Sequence, residues 1–384
     1  MTLVTTHAMP SDLDQLLVGG LRELDITSVE RDAVVQRYEE LGVVLDELWA
    51  STRGANKVFA QGSFMLGTVV RNVNRNDDID IDLVAVRDIA KASISQEELK
   101  DEVGSAVRLY ATRAVSDFPE VEESSRCWTL TWPGMHMDVL PAIPNTEAAG
   151  DNLLITDKDV HRWLPSNPLG YAEWFRTQAR RRLMASHEME EKRLEVQQVP
   201  EWRQRSVLQR AVQALKRHRD IHFSDRPDQR PSSIVLTTLA AHAYRGGTDL
   251  HQVLRQIVAS MPEHLHEEAG HWSLPNPAQP NENFTEYWAT EPQRAARFFE
   301  WLDAAATTFS GLETKSGLDQ TIPFLKEAFG SRFATGAVQT LAGDLRNARD
   351  DGSLRLHTNS GLRVAPDSAT TRRVRGHSFA GGPR

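Results

Sequence analysis

The stretch QGSFMLGTVVRNVNRNDDIDIDLVAV, residues 61–86, decides the reading of this chain. Asp78, Asp80 and Asp82 stand at i, i+2 and i+4, with Ile79, Ile81 and Leu83 following them in turn. A strand sends alternate side chains to opposite faces, so the carboxylates share one face and the aliphatic groups the other. The aliphatic face suits a core. The acidic face carries like charges that repel unless a cation neutralises them, and hard carboxylate oxygens suit Mg²⁺. Ahead of the strand, Gly62 and Ser63 are small enough for their backbone amides to approach a phosphate closely. For the aspartates taken alone, a solvated or Ca²⁺-binding acidic loop is the alternative.

A further carboxylate should come from a neighbouring strand. RCWTLTWPGMHMDVLPAIP, residues 126–144, reads as a hairpin. Trp128, Leu130 and Trp132 alternate with Thr129 and Thr131, Pro133-Gly134 makes the turn, and Met135, Met137 and Val139 alternate with His136 and Asp138. Asp138 is the hairpin's only acid. An ionised Asp between apolar neighbours is costly unless it is paired or metal-bound; the alternative is a surface aspartate on the polar side of an edge strand. The Gly-Ser turn, the alternating acids and the distant strand Asp together describe a site for metal-assisted nucleotidyl transfer.

The order hG[GS], spacer, hDhDh and later hDh, with h hydrophobic, resembles the signature of the DNA polymerase β-like nucleotidyltransferases. It falls on Phe59-Ala60-Gln61-Gly62-Ser63, Ile79-Asp80-Ile81-Asp82-Leu83 and Met137-Asp138-Val139. The finer match in QGSFMLGT, DIDLV and HMDVLPAIP resembles the bacterial cGAS/DncV-like nucleotidyltransferases, makers of cyclic oligonucleotide signals in anti-phage defence. The similarity runs from about residue 25 to about 365. DDIDID offers two registers; Asp80 and Asp82 fit because Ile79 precedes the first acid, whereas Asp77 precedes Asp78.

The resemblance implies an α+β fold. A nucleotidyltransferase lobe at 1–150, with a small mixed sheet and a long bracing helix at about 28–50, is followed by a helical lobe at 151–365 and a disordered tail at 366–384. It implies two Mg²⁺ ions, or Mn²⁺ in their place, on Asp80, Asp82 and Asp138, with Asp138 orienting or deprotonating the acceptor hydroxyl. Gln61, Gly62 and Ser63 would hold the triphosphate. SVLQRAVQALKRHRDIHF (206–223) and RPSSIVLTTLAAHAY (230–244) resemble second-lobe elements in which a helical Lys and a later Ser touch phosphate, roles that fall on Lys216 and Ser233. The alternatives are surface charge for Lys216, Arg210, Arg217 and Arg219, and helix capping by Ser232 or Ser233 after Pro231. The implied product is a cyclic di- or trinucleotide made from nucleoside triphosphates, ATP among them, with release of pyrophosphate. The alternative is terminal transfer to RNA, protein or a small molecule. Implied partners are a cyclic-nucleotide-activated effector and a regulatory or tail-conjugating protein, although Pro383-Arg384 follow Gly381-Gly382.

Composition narrows the classes. The chain's 384 residues suffice for two lobes. The single cysteine, Cys127, excludes a disulfide framework and a Cys-rich zinc site, and is expected as a small core residue in a strand. A net charge of −9 argues against a nucleic-acid coat. No apolar run reaches the ~18 residues of a membrane span and no signal peptide opens the chain, so a cytoplasmic place and no membrane partner are expected. A short helix is expected from Ser11, and capping boxes at Thr27/Glu30 and Ser95/Glu98 start longer ones. After Pro144 no strand is expected. Helical periodicity covers 170–195, 203–222, 232–245, 249–261, 291–308 and 319–330, and 274–288 reads as a loop. Trp163, Trp174 and Trp202 are candidates for stacking on a base.

Overall fold

The computed structural model describes residues 12–49, 56–71, 78–113, 117–159, 162–180, 205–357, 361–364 and 371–373. Trp202 lies outside them, as does the charged run 181–204. The chain forms two compact units, residues 25–314 and residues 1–24 with 315–384. Helix α1 (Asp12–Arg22), the short helix expected from Ser11, belongs to the terminal unit.

The larger unit opens with α2 (Ser28–Trp49). Its capping box forms as the sequence predicts: the Thr27 amide donates to Glu30 Oε2 at 2.7 Å and the Glu30 amide to Thr27 Oγ1 at 3.2 Å. Next come β1 (Lys57–Gln61), α3 (Gly62–Leu66), β2 (Ile79–Val86) and α4 (Gln96–Arg113). Then follow β3 (Glu120–Glu123), β4 (Trp128–Trp132), β5 (Met135–Pro144), β6 (Leu153–Ile155) and β7 (Leu164–Ser166). The strands form one mixed sheet in the order β1-β2-β5-β4-β3, with β6 on the far end of β5 and β7 on β6. Only β2 and β5 run parallel.

The predicted alternation holds. Ile79, Ile81 and Leu83 bury with Met135, Met137 and Val139 in a core shared with Leu41 and Leu45 of α2 and Leu99, Val103 and Val107 of α4. Each such aliphatic side chain stabilises the unit by roughly 1.5–3 kcal/mol. The sheet therefore has a helix-covered apolar face, and its acidic residues are forced to the other.

The rest of this unit is mainly helical: α5 (Pro168–Arg180), α6 (Val207–His222), α7 (Ser233–Ala243), α8 (Leu250–Ser260) and α9 (Gln293–Leu312). Between α8 and α9 lie two small hairpins, β8 (His266–Glu268) with β9 (His271–Ser273), and β10 (Pro275–Asn276) with β11 (Gln279–Asn283). In the terminal unit, α10 (Leu318–Phe329) is followed by α11 (Ser331–Asp350), which packs against both α10 and α1. A Cβ on Gly20 would come within 2.4 Å of the Phe333 ring, so the close approach of α1 to α11 needs glycine there. This unit ends in a sheet of β12 (Leu354–His357), β13 (Gly361–Val364) and β14 (Thr371–Arg373).

Several expectations are corrected. Strands do follow Pro144, and the sheet continues through β7, past residue 150. Residues 274–288 contain a hairpin rather than a plain loop. β8, β9 and β10, of two or three residues, are too short to show an alternation, and β11 reads Gln-Pro-Asn-Glu-Asn with no apolar side chain but Pro280. Helix α11 was not expected; it follows Gly330, which turns the chain at φ +88°. Within 366–384, expected as a disordered tail, Thr371–Arg373 pairs with β12; the other residues there lie outside those described. Cys127 is half-buried and precedes β4 instead of lying in it. Among the described residues no helix is long and apolar enough to cross a membrane.

Candidate active site

Four neighbouring strands put one row of residues side by side. Gln61 pairs with Asp82 across β1 and β2, Asp82 with Asp138 across β2 and β5, and Asp138 with Thr129 across β5 and β4. Adjacent strands lie about 4.8 Å apart, so the register makes the two carboxylates neighbours. Thr129 Oγ1 donates to Asp138 Oδ1 at 2.5 Å. In the preceding row Asp80 lies beside His136. His136 Nδ1 contacts Thr131 Oγ1 at 3.0 Å and its Nε2 contacts Asp78 Oδ2 at 3.1 Å.

Asp78 is thus engaged by His136, whereas Asp80, Asp82 and Asp138 line a common cavity of about 410 Å³. Of the two registers in DDIDID, this is the one with Asp80 and Asp82 as the inward pair.

After Gln61 the chain turns sharply at Gly62, whose φ of +57° lies in the left-handed region. A Cβ on Gly62 would stand 2.1 Å from Asp82 Oδ2. Glycine is required twice over, by the turn and by the carboxylate against it. Gly62 and Ser63 line the cavity; Gln61 belongs to the residue row but not to the lining.

Helix α6 forms the opposite wall. It begins with a capping box between Ser206 and Gln209, and four of its side chains then hold the last residue of α3 and the segment that follows it. Gln209 Nε2 donates to the Leu66 carbonyl at 2.8 Å and Gln213 Nε2 to Val69 at 2.7 Å. Lys216 Nζ donates to Thr68 and Arg217 Nη1 to Arg71, each at 3.2 Å. Positions i, i+4, i+7 and i+8 share one helix face. Residues 67–71 lie in no helix or strand, so their carbonyls depend on such partners.

Lys216, Arg217 and Arg219 are all buried, and their surface-charge alternative fails. Arg210 pairs with Asp25 at 2.9 Å. At the start of α7, Ser232 is the N-cap but makes no side-chain capping bond. Ser233 Oγ accepts from Arg219 Nη1 at 2.9 Å. Pro231, Ser232, Ser233 and Ile234 bring the helix N-terminus, with its open amides and positive dipole end, to the cavity.

The electrostatics are set by burial and by repulsion among the carboxylates. Burial raises the Asp82 pKa to about 6, aided by the charges of Asp138 and Asp80 and opposed by Lys216. Asp80 is also raised, first by burial and then by Asp138, against the pull of His136, Lys216 and Arg230. Asp80 keeps solvent access, yet the surrounding protein withholds part of its hydration shell. Burial and Arg219 lower Lys216 to about 8, against the pull of Asp220, Asp80 and Asp82. Burial and the nearby Asp138 push the Cys127 thiol up to about 12, leaving it unreactive at neutral pH.

Buried, mutually repelling carboxylate oxygens fit Mg²⁺ or Mn²⁺. Among the described residues no three acidic, histidine or cysteine side chains close into a full metal cage. Ions held by Asp80, Asp82 and Asp138 would therefore keep water and phosphate oxygens as ligands, as Mg²⁺ commonly does.

Sequence reasoning missed Thr129, Asp220 and Arg230, and missed Gln209 and Gln213 as supports of the wall. None belongs to a spacing motif. Trp163 packs against the sheet core, and Trp174 against Tyr171 and His242 at 5.3 and 4.9 Å; neither lines the cavity.

Comparison with known proteins agrees with this geometry. Residues 14–179 match the family described as the Second Messenger Oligonucleotide or Dinucleotide Synthetase domain. A c-di-GMP synthase of Roseivirga ehrenbergii is 27% identical over 300 residues, 77% of this chain and 78% of that protein. The fold resembles the CD-NTase CdnG of Bradyrhizobium diazoefficiens in complex with GTP, at a TM-score of 0.64 and 24% identity, covering 85% of this chain and 97% of the other. It also resembles the Vibrio cholerae DncV cyclic AMP-GMP synthase in complex with a linear intermediate, at a TM-score of 0.60 and 14% identity, over 86% and 98% of the two chains. The chain is a nucleotidyltransferase, and over most of its length it is similar to the bacterial cGAS/DncV-like family.

Proposed function

We propose that the protein joins nucleoside triphosphates into a cyclic di- or trinucleotide, with divalent metal and release of pyrophosphate, as a signal in anti-phage defence. The observation that carries the chemistry is the convergence of Asp80, Asp82 and Asp138 with Lys216, Ser63 and the α7 N-terminus on one cavity. A carboxylate cluster facing a cationic wall suits a triphosphate that carries divalent metal. The defence role rests on the family resemblance.

Bound Mg²⁺ would supply charge neutralisation at the leaving pyrophosphate and acidify the acceptor hydroxyl. Asp80 and Asp82 would hold the ions. Asp138, oriented by Thr129, would complete the metal site and take or direct the acceptor proton. Gly62, Ser63, Lys216 and Ser233 would fix the phosphates, and positioning would supply most of the rate. Linking two nucleotides into a ring requires two such transfers: in the second, a ribose hydroxyl at the far end of the linear product attacks the α-phosphate of its own 5′-triphosphate, and each transfer releases one pyrophosphate. The name of the Roseivirga relative supports guanine nucleotides among the substrates.

Purified protein with all four nucleoside triphosphates and Mg²⁺ is expected to yield phosphatase-resistant products whose masses equal cyclic di- or trinucleotides. Linear extension of an added RNA, with no cyclic product, would favour terminal transfer instead.

A further inference from the structure

We infer that Arg230 is a further triphosphate-binding cation of this cavity, held loosely in place by Asp220 until substrate arrives. This rests on the reading above that the cavity takes a nucleoside triphosphate.

Three buried or half-buried groups behind the α7 N-terminus carry the argument. Asp220 is nearly enclosed, with 8% of its side chain exposed, and lies between two arginines. Arg219 has four of its five N–H donors engaged: Nε and Nη2 donate to Asp220 Oδ1 at 2.9 and 2.6 Å, and Nη1 donates to the Pro231 carbonyl and to Ser233 Oγ, each at 2.9 Å. Those bonds commit Arg219 to shaping the loop before α7 and orienting Ser233. It has few donors left for a ligand.

Arg230 is placed differently. It lines the same cavity, a third of its side chain is exposed (33%), and its Nη1 lies 3.5 Å from the same Asp220 Oδ1. That oxygen already receives two N–H donors from Arg219, about the capacity of its lone pairs. The third contact is accordingly long, an ion pair without a short hydrogen bond. Arg230 is thus anchored by charge but not locked by geometry, and keeps donors for an incoming anion. Its charge already reaches Asp80 across the cavity.

A guanidinium recognises phosphate oxygens through paired donors, which Lys216, a point charge bonded to the Thr68 carbonyl, does not replicate. Arg230 would therefore grip the polyphosphate tail rather than the nucleoside. Asp220 is its positioning residue: it limits where the guanidinium can go and offsets the repulsion between Arg219, Arg230 and Lys216.

The test compares wild type with Arg230→Met, Arg230→Lys and Asp220→Asn, using inorganic tripolyphosphate and a nucleoside monophosphate as probes. Losing a charge-assisted bond should raise KM for the triphosphate and the inhibition constant of tripolyphosphate about tenfold or more in Arg230→Met. kcat should change far less, and monophosphate inhibition should not change. Arg230→Lys should recover part of the loss, and Asp220→Asn should show the same selective effect more weakly. Unchanged KM and tripolyphosphate inhibition in Arg230→Met would overturn the assignment, as would an equal loss for the monophosphate. Thermal stabilisation of wild type by tripolyphosphate, and its loss in Arg230→Met, tests the same residue without turnover. Failure of wild type to consume nucleoside triphosphates would strike the proposed function alone.

Discussion

Replacing Asp82 by Asn should inactivate the protein and make its metal-free form more stable, with a pH dependence that follows from the site. The Asp82 pKa rises from 3.8 to about 6 in the folded protein. Keeping the group charged there costs about 3 kcal/mol. Below pH 3.8 the carboxyl is protonated in both states and carries no penalty. Between 3.8 and about 6 the unfolded chain has released its proton while the folded chain retains it, so stability falls as pH rises. Above about 6 the full penalty applies. Asn keeps the size of the side chain without the charge. The variant's advantage should be near zero at pH 4 and approach about 3 kcal/mol at pH 8, a melting shift of about 5 °C for a unit of this size. Scanning calorimetry in EDTA at the two pH values measures it. Added Mg²⁺ should then stabilise wild type but not the variant. An advantage equal at both pH values, or a variant less stable at pH 8, would refute the argument that buried, mutually repelling carboxylates define this site.

Four further outcomes can be checked. Gly62→Ala should cut product formation at least a hundredfold and lower the melting temperature, since it adds about 1–2 kcal/mol of backbone strain and drives a methyl into Asp82; near-normal turnover would show the close approach to be dispensable. Thr129→Val should reduce kcat about tenfold, the scale of one hydrogen bond to a charged group, with KM for the triphosphate little changed and Thr129→Ser close to wild type. Asp78→Ala should retain synthesis within about threefold, because that carboxylate pairs with His136; a loss as deep as that of Asp82→Asn would show the register to be wrong. Lys216, lowered to about 8, loses its proton in the free protein as pH rises through that value. KM for the triphosphate should therefore increase above pH 8 in wild type and stay flat in Lys216→Arg, because Arg remains charged.

The acidic strand was legible because its information is local. Asp80 and Asp82 alternate with Ile81 and Leu83, and a strand has no choice but to separate them onto two faces. The hairpin around Pro133-Gly134 and the capping boxes at Thr27 and Ser95 were legible for the same reason, each being a pattern of adjacent residues with one favourable geometry. Resemblance to a family supplied Lys216 and Ser233, which no local rule would have distinguished from surface charge or a helix cap.

What tertiary structure alone decided is where distant segments meet. Residues 82 and 138 become neighbours through a parallel pairing, and a one-residue slip in that register would have turned Asp138 into the core. Gln209 and Gln213 look like ordinary polar helix positions until the carbonyls of 66–71 are laid against them. Asp220 and Arg230 are ten residues apart across a loop and acquire meaning only when α6 and the start of α7 close on one cavity. α1 is a short amphipathic helix whose partner α11 lies some 300 residues away. Periodicity states which face of an element is apolar; it does not state which other element will cover that face, because that depends on packing between residues remote in the chain.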